Sequence, residues 1–352
     1  MSSPTISILL PCLNARPFLE PRIESLIRQT YSNWEAIVLD SGSTDGSWEF
    51  FQSIAANDFR FQLHQVPREG VYAALNQGMR IATGEFLHFA PCDDTMAPEF
   101  LASMLDAFSK CPGVDLAACD ALFINQNGDK LSSEDLKEHL SPGSIRTLLR
   151  SDTVRTAVPG EEKQKMNYRP APHDCVLHYT GRSVYYSLTQ LLIRTVAAKK
   201  IGLFETNVGS VADFGWLLRL TNLTGTVHLP QKLAGWRFHG EQLSIYRDES
   251  RRVSVSLMCK NLLPEISQRH QLTLTPADCG LLLLESKIIA ERSVVTNIRL
   301  WLEGIARLFR AFVQRPAAIG KVLLSIGWRL ANLRECIPAL ILQTRGVAAR
   351  EL

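Results

Sequence analysis

The acids Asp40, Asp93 and Asp94 stand where carboxylates can do chemistry. Asp40 closes the apolar, β-branched run Trp34-Glu-Ala-Ile-Val-Leu and opens the turn Ser41-Gly-Ser-Thr-Asp-Gly46. A helix-like segment follows at once. This pattern predicts a strand feeding a loop at the carboxyl edge of a sheet, where open α/β folds bind nucleotides. Asp93 and Asp94 follow a second apolar run, Phe86 to Ala90. Two strands thus bring acids to one edge, and hard carboxylate oxygens there suit a metal-bound nucleotide.

The elements that must position these acids alternate. Ile6–Leu10, Ala36–Leu39, Phe61–Val66, Phe86–Ala90 and Leu116–Ile124 read as strands. Phe18–Gln29, Trp48–Ala56, Val71–Ala82 and Pro98–Ser109 have helical spacing between them. Strands alternating with helices predict an α/β fold, a three-layer sandwich with a mainly parallel sheet. From Asn125 to Pro172 the pattern dissolves into polar residues and prolines, as in a lid or a disordered insertion. Order returns with a strand at Ser187–Arg194, a helix into Lys200 and a helix at Asp213–Leu220. The division expected is 1–245 for the α/β domain, with halves 1–115 and 116–245, and 246–352 for a helical C-terminal extension.

The 352 residues carry a net charge of only +3, unevenly spread. Residues 1–110 hold 7 Lys/Arg against 13 Asp/Glu, a net of −6, which can host a divalent cation. Residues 287–350 hold 11 against 3, a net of +8, which seeks anions. In 298–312 an apolar stripe from Ile298 to Phe312 lies largely apart from Arg299, Arg307 and Arg310. Such a basic amphipathic helix suits a membrane surface through 298–330, or packing on the domain. No apolar run reaches the roughly 18–20 residues of a spanning helix. Met1-Ser-Ser-Pro-Thr lacks the basic and apolar stretches of a signal peptide. The eight scattered cysteines form no C-x-x-C pair and read as reduced, buried residues of a cytoplasmic protein. A nucleic-acid partner is not expected, since only tail arginines speak for one.

Several motifs occur in order: Pro11-x-x-Asn14, Arg28-Gln-Thr-Tyr-Ser-Asn-Trp-Glu35 and Asp40-Ser-Gly-Ser-Thr-Asp-Gly46. Gly70-Val-Tyr-x-Ala-x-Asn-x-Gly78, Ala82-Thr-Gly-Glu85 and Asp93-Asp94 complete the series. Together they resemble family 2 glycosyltransferases over roughly residues 5–245. The resemblance implies the nucleotide-sugar transferase fold called GT-A. It also implies inverting transfer of a sugar from a nucleotide diphosphate donor, UDP favoured, with Mn2+ or Mg2+ as cofactor.

By that resemblance Asp40 accepts a hydrogen bond from the base, and Pro11, Cys12 and Asn14 wall its pocket. Arg68 and Asn76 face the same region, and Asp45 is a turn acid. Asp94 is the expected metal ligand, Asp93 a ribose or sugar contact, and His239 a diphosphate contact. Asp213 matches the segment that holds the catalytic base, which deprotonates the acceptor hydroxyl. The processive signature Gln-x-x-Arg-Trp is lacking, since Trp236-Arg237 reverses its order. A single addition to a glycan or lipid-linked acceptor at the cytoplasmic face is therefore expected. Two other readings stay open. A nucleotidyltransferase would carry a glycine-rich phosphate loop after the first strand, where Leu10-Pro-Cys-Leu-Asn-Ala-Arg16 has no glycine. A non-catalytic scaffold would bind no nucleotide.

Overall fold

The computed structural model describes residues 4–132, 135, 166–179, 185, 187–240, 265–266, 268–270 and 350–351. Most of the insertion and nearly all of 246–352, including the amphipathic stretch 298–330, lie outside the described residues.

Strands β1 (Ile6–Cys12), β2 (Trp34–Asp40), β3 (Phe61–Gln65) and β4 (Phe86–Phe89) pair in parallel, in the order β4-β1-β2-β3. β1 is buried at every position and apolar at most, as expected of a strand covered on both faces. Helices α1 (Arg16–Ile27), α2 (Ser47–Ala55) and α3 (Val71–Ile81) make the crossovers, and α4 (Phe100–Lys110) follows the short β5 (Thr95–Met96). Beyond β4 the sheet becomes mixed. β6 (Leu116–Ile124) runs parallel to β4, but β8 (Leu191–Arg194) lies between them antiparallel to both. β9 (Thr226–Arg237) pairs parallel with β6 and antiparallel with β5 and with β7 (Asn167–Arg169). β10 (Arg350–Glu351) closes the β7 edge. The parallel pairings are the long ones and the antiparallel ones are short.

Two apolar layers flank the sheet. Leu19, Ile23 and Leu26 of α1, Phe51 of α2 and Phe100 and Met104 of α4 cover one face. On the other face lie Leu75 and Met79 of α3 and two later helices, α6 (Thr195–Ile201) and α7 (Ala212–Leu223). Helix α5 (His173–Tyr179) packs on α7. α3 sits so close to the sheet that a Cβ on Gly78 would meet a Leu39 methyl at 2.7 Å and Leu9 at 3.1 Å.

The structure departs from the sequence reading at β7, which lies inside the stretch read as a lid or disordered insertion, at β8 and at β9. Ser187 caps a 3-10 turn, Leu188–Gln190, so the strand begins only at Leu191. The capping box explains this: the Ser187 hydroxyl accepts the Thr189 N–H while Gln190 Oε1 accepts that of Ser187. The twelve residues of β9 carry no continuous strand signal, because Pro230, Gln231 and Lys232 interrupt it. At that interruption the β6–β9 register shifts on both sides of Asp120.

Several motif residues prove structural. Gln29 donates to the Ser25 and Ala97 carbonyls and accepts the Leu101 N–H at 3.0 Å, tying α1 to α4. Glu35 accepts from the Ser7 and Thr83 hydroxyls at 2.6 and 2.9 Å. The Arg60 guanidinium lies over the Trp34 ring at 3.7 Å. Cys12, Cys92, Cys111, Cys119 and Cys175 are buried, and the other three cysteines lie outside the described residues.

Candidate functional site

Asp40 ends β2 fully buried. Its Oδ2 accepts the N–H groups of Gly42 and Ser43 at 3.0 and 3.1 Å, which curls the loop around the carboxylate. Gly42 takes φ +81°, a left-handed value that disfavours a side chain. The second oxygen, Oδ1, is buried and has no hydrogen-bond partner among the described residues. A buried acceptor left open is expensive unless something donates to it.

The β1–α1 loop is stapled to this turn. Asn14, at φ +51°, accepts the Thr44 N–H at 2.8 Å, and its own N–H donates to Ser43 Oγ at 2.9 Å. Ala15 N–H reaches Ser47 Oγ and Arg16 N–H reaches Asp45 Oδ2. Asp45 also accepts the Ser47 N–H and hydroxyl, so it is a turn acid, as its place in the loop suggests. Pro11 and Cys12 floor the same corner. The Cys92 thiol donates to the Pro11 carbonyl at 3.3 Å, which links this loop to the acid pair. A hydrogen bond with Cys92 draws the Cys12 thiol down, and the same bond pushes Cys92 up.

Asp93 and Asp94 occupy the bend between β4 and β5. Asp94 is 2% exposed; its Oδ1 accepts the Arg237 N–H at 3.0 Å and its Oδ2 the Ser187 hydroxyl at 3.2 Å. Burial, then the neighbouring Asp93 charge, pushes Asp94 well above the usual carboxylate range. Asp93 Oδ2 lies 2.9 Å from His239 Nε2, and the His239 ring packs 4.8 Å from that of Phe18. Arg237 fastens the bend: Nε donates to the Asp93 carbonyl at 2.6 Å and Nη1 to the Asn125 and Gln126 carbonyls. Beneath lies Arg22, fully buried, with no hydrogen-bond partner among the described residues for any guanidinium nitrogen. Burial lowers it to about 10, while Asp94, Cys92 and Asp93 pull it back up. Its charge offsets that of the acid pair.

Among the described residues no group of three or more His, Cys, Asp or Glu side chains is arranged to hold a metal ion. The two carboxylates on the bend, with the imidazole of His239 from beyond β9 against Asp93, are hard oxygen donors of the kind Mg2+ or Mn2+ accepts beside substrate phosphates and water.

The remaining candidates are placed differently. Arg68 is exposed on the loop after β3. Asn76 is buried on α3, its Nδ2 donating to the Phe204 carbonyl and its Oδ1 accepting the Phe204 N–H, both at 2.9 Å. Both ends of its amide thus hold Phe204. Tyr72 on the same helix bonds the Ser210 carbonyl at 3.4 Å. Phe204 stacks on Trp216 of α7 at 4.9 Å, and Trp216 Nε1 donates to the Gly202 carbonyl. Asp213, half-buried in the first turn of α7, accepts the Phe214 N–H at 2.7 Å. The motif residues Tyr72 and Asn76 thus set where Asp213 stands.

Sequence reasoning missed Ser187, Arg22 and the fastening work of Arg237. Ser187 had one signal, the S-x-x-Q capping box. Arg22 has none, since an arginine inside a helix reads as surface.

Comparison with known proteins agrees with this fold. The family model Glycosyl transferase family 2 matches residues 7–176. EpsH of Bacillus subtilis, named as a glycosyltransferase, is 33% identical over 217 residues, 54% of this chain and 60% of its own length. A PGL/p-HBAD biosynthesis glycosyltransferase of Mycobacterium bovis is 36% identical over 97 residues, 27% of this chain and 38% of its own. The chain therefore spans less than two thirds of these relatives. Among solved structures, S. aureus TarS 1–349 in complex with UDP-GlcNAc superposes with TM-score 0.56 at 17% identity, covering 98% of this chain and 92% of that one. The mannosyltransferase PcManGT of Pyrobaculum calidifontis, in complex with GDP-Man and Mn2+, gives 0.52 at 15%, covering 97% and 86%. At such identities the likeness is one of fold, and the fold is of the GT-A type. Residues 7–176, just under half of the chain, thus carry a domain matched by the model of glycosyl transferase family 2.

Proposed function

We propose that this chain is an inverting glycosyltransferase that moves one sugar, a hexose or N-acetylhexosamine, from a nucleotide diphosphate donor to a hydroxyl of a glycan or lipid-linked precursor. Cell-surface polysaccharide synthesis is the expected setting. The observation that carries the reading is the buried Asp40 Oδ1, which has no partner among the described residues and lies one loop away from the Asp93–Asp94 bend. A uracil N3–H is a donor of the right kind for that oxygen, and UDP is the favoured carrier. Relatives support the class: TarS was solved with UDP-GlcNAc and PcManGT with GDP-Man and Mn2+.

In this reading Pro11, Cys12, Asn14 and Asp40 hold the base, and Arg68 approaches base or diphosphate from its exposed loop. Asp93 orients ribose or sugar. Asp94 and His239 are the protein groups toward Mn2+ or Mg2+, which neutralises diphosphate charge when bound. Asp213 takes the proton from the acceptor hydroxyl as that oxygen attacks the anomeric carbon opposite the diphosphate, and one displacement inverts the configuration. Residues 1–115 serve the donor and 116–245 the acceptor. Among the described residues no helix is long and apolar enough to cross a membrane. The basic segment 298–330 supports a peripheral position on the cytoplasmic face of the membrane.

The test is thermal stabilisation of the full chain by UDP, GDP, dTDP and CDP, with and without Mn2+, beside Asp94→Ala. A shift with one nucleotide that needs the metal and vanishes in the variant is expected. A folded protein that responds to none of them overturns the reading in favour of a scaffold.

A further inference from the structure

Cys12 and Cys92 stand at the ends of two neighbouring strands, between the Asp40 corner and the acid bend. Cys12 is the last residue of β1, in register with Asp40 on β2, and its carbonyl accepts the Ser41 N–H at 2.9 Å. Cys92 follows β4, the other parallel neighbour of β1, and immediately precedes Asp93. The β1–β4 ladder runs on toward both, since the Ala90 N–H donates to the Leu9 carbonyl at 2.8 Å. Ile8, Leu10 and Cys12 point into the apolar layer of α1, α2 and α4, and Leu9 into the other layer. Cys92 belongs to the same layer as Cys12.

The two sulfurs meet there. The Cys92 thiol donates to the Pro11 carbonyl at 3.3 Å, on the peptide unit that leads into Cys12, and a hydrogen bond joins it to the Cys12 thiol. Neighbouring strands lie about 4.8 Å apart, inside the span of about 4.4–6.8 Å between the Cα atoms of a disulfide. Cys12 also supports the loop around Asp40. Its Sγ lies 3.8 Å from the Ser43 hydroxyl, which accepts the Asn14 N–H at 2.9 Å, while the Ser43 N–H donates to Asp40 Oδ2. Cys12 is 3% and Cys92 5% exposed, but Ser43 is half-buried and Leu13 and Asn14 are exposed. The pair therefore lies one hydroxyl below an open corner, where only a small oxidant fits.

We propose that Cys12 and Cys92 are an oxidation site, which hydrogen peroxide closes into a reversible disulfide that weakens nucleotide binding at the Asp40 corner. The effect on binding rests on the nucleotide-sugar reading above. The Cys12 sulfur takes one oxygen from the peroxide, whose O–O bond breaks, giving a sulfenic acid and one water. The Cys92 sulfur then attacks the Cys12 sulfur, the S–O bond breaks, and a second water leaves with the Cys92 proton. The two thiols lose two electrons and the peroxide gains them. With its proton gone, Cys92 no longer donates to the Pro11 carbonyl, and the new bond draws Cys12 away from Ser43, on which the loop around Asp40 leans.

The experiment treats the full chain with hydrogen peroxide, blocks the remaining thiols and maps the linkages by mass spectrometry. UDP, GDP, dTDP and CDP are titrated calorimetrically with Mn2+ before oxidation, after it, and after dithiothreitol. Cys92→Ser is the comparison: its hydroxyl still donates to the Pro11 carbonyl, so the reduced variant binds nucleotide as the wild type does. The expected result is a Cys12–Cys92 link, a loss of nucleotide affinity of about tenfold or more, and recovery with dithiothreitol. In Cys92→Ser no such link forms, and dimedone traps the sulfenic acid on Cys12. Cys12 and Cys92 left unlinked by peroxide, or a link that leaves nucleotide affinity unchanged, overturn the proposal and leave the donor reading intact. A reduced wild type that binds no nucleotide overturns the donor reading and with it the effect on binding; the mapped link then decides the oxidation site by itself.

Discussion

The two halves of the sheet hold their acids by different means. Around Asp40 the work is local. Backbone N–H groups two and three residues away curl onto the carboxylate, and four bonds staple neighbouring loops together. Around Asp120 and Asp213 the work is done by residues far apart in the chain. His228 and Asp120 are 108 positions apart, Asn76 and Phe204 are 128. The Asp40 corner needs short side chains and glycine in two loops about thirty residues apart. The second half needs buried side chains that fit each other, and so has more to lose when one is removed.

The largest expected effect tests the first half. Asp94→Ala removes the buried carboxylate on the bend, and several kcal/mol of transition-state stabilisation, on the order of a thousandfold in turnover, should go with it. Unchanged turnover with Mn2+ would place the metal elsewhere. Next comes the second half. Arg169→Met leaves Asp174 buried without its counter-charge, and breaking such a pair costs about 3–5 kcal/mol, read as a lowered denaturant midpoint. Burial alone would raise Asp174, but Arg169 outweighs it and holds the carboxyl well below its usual range. The pair should therefore survive mild acid.

Two buried histidines, one in each half, should not. Burial holds His88 down to about 3 and His178 down to about 4. Both are neutral in the fold, while unfolded histidine titrates near 6.5. Below that pH the unfolded chain binds more protons, so stability falls as pH drops from about 6.5 toward 4, by up to roughly 1.4 kcal/mol per pH unit for each histidine. Melting between pH 7.5 and 5 reads this slope, and His178→Phe should flatten it by one proton. A flat profile in the wild type would mean both rings are solvated. The smallest effect is Asn76→Ala. It leaves the backbone groups of Phe204 unpaired, at about 1–3 kcal/mol, and should lower turnover more than donor affinity. The reverse pattern would place Asn76 at the nucleotide.

The same contrast explains what could be read from the chain. Asp40 and Asp93–Asp94 were legible because each ends an apolar run, and a strand end is a local signal. The expected layers and helices α1 to α4 are present for the same reason. β9 was hidden because Pro230 breaks its pattern, and its pairing with β6 supplies what its own residues do not. Asn76 sat at the expected place in a motif, yet motif position says nothing about which side of the helix is covered. Arg22, His228 and Asp120 had no signature, since a buried charge declares itself only through partners that folding brings together.

Gly78 shows how distance is handled in this molecule. Its bare backbone lets α3 settle against Leu9 and Leu39, and every later placement is measured from there. Asn76 fixes Phe204, Phe204 and Gly202 fix Trp216, and Trp216 fixes the helix whose first turn carries Asp213. In such a series tolerances add, as they do when each part of an instrument is located from the one before. A misplacement of about 1 Å can cost a catalyst about a hundredfold. The accuracy of the proposed base is thus decided 135 residues upstream, by the absence of a methyl group.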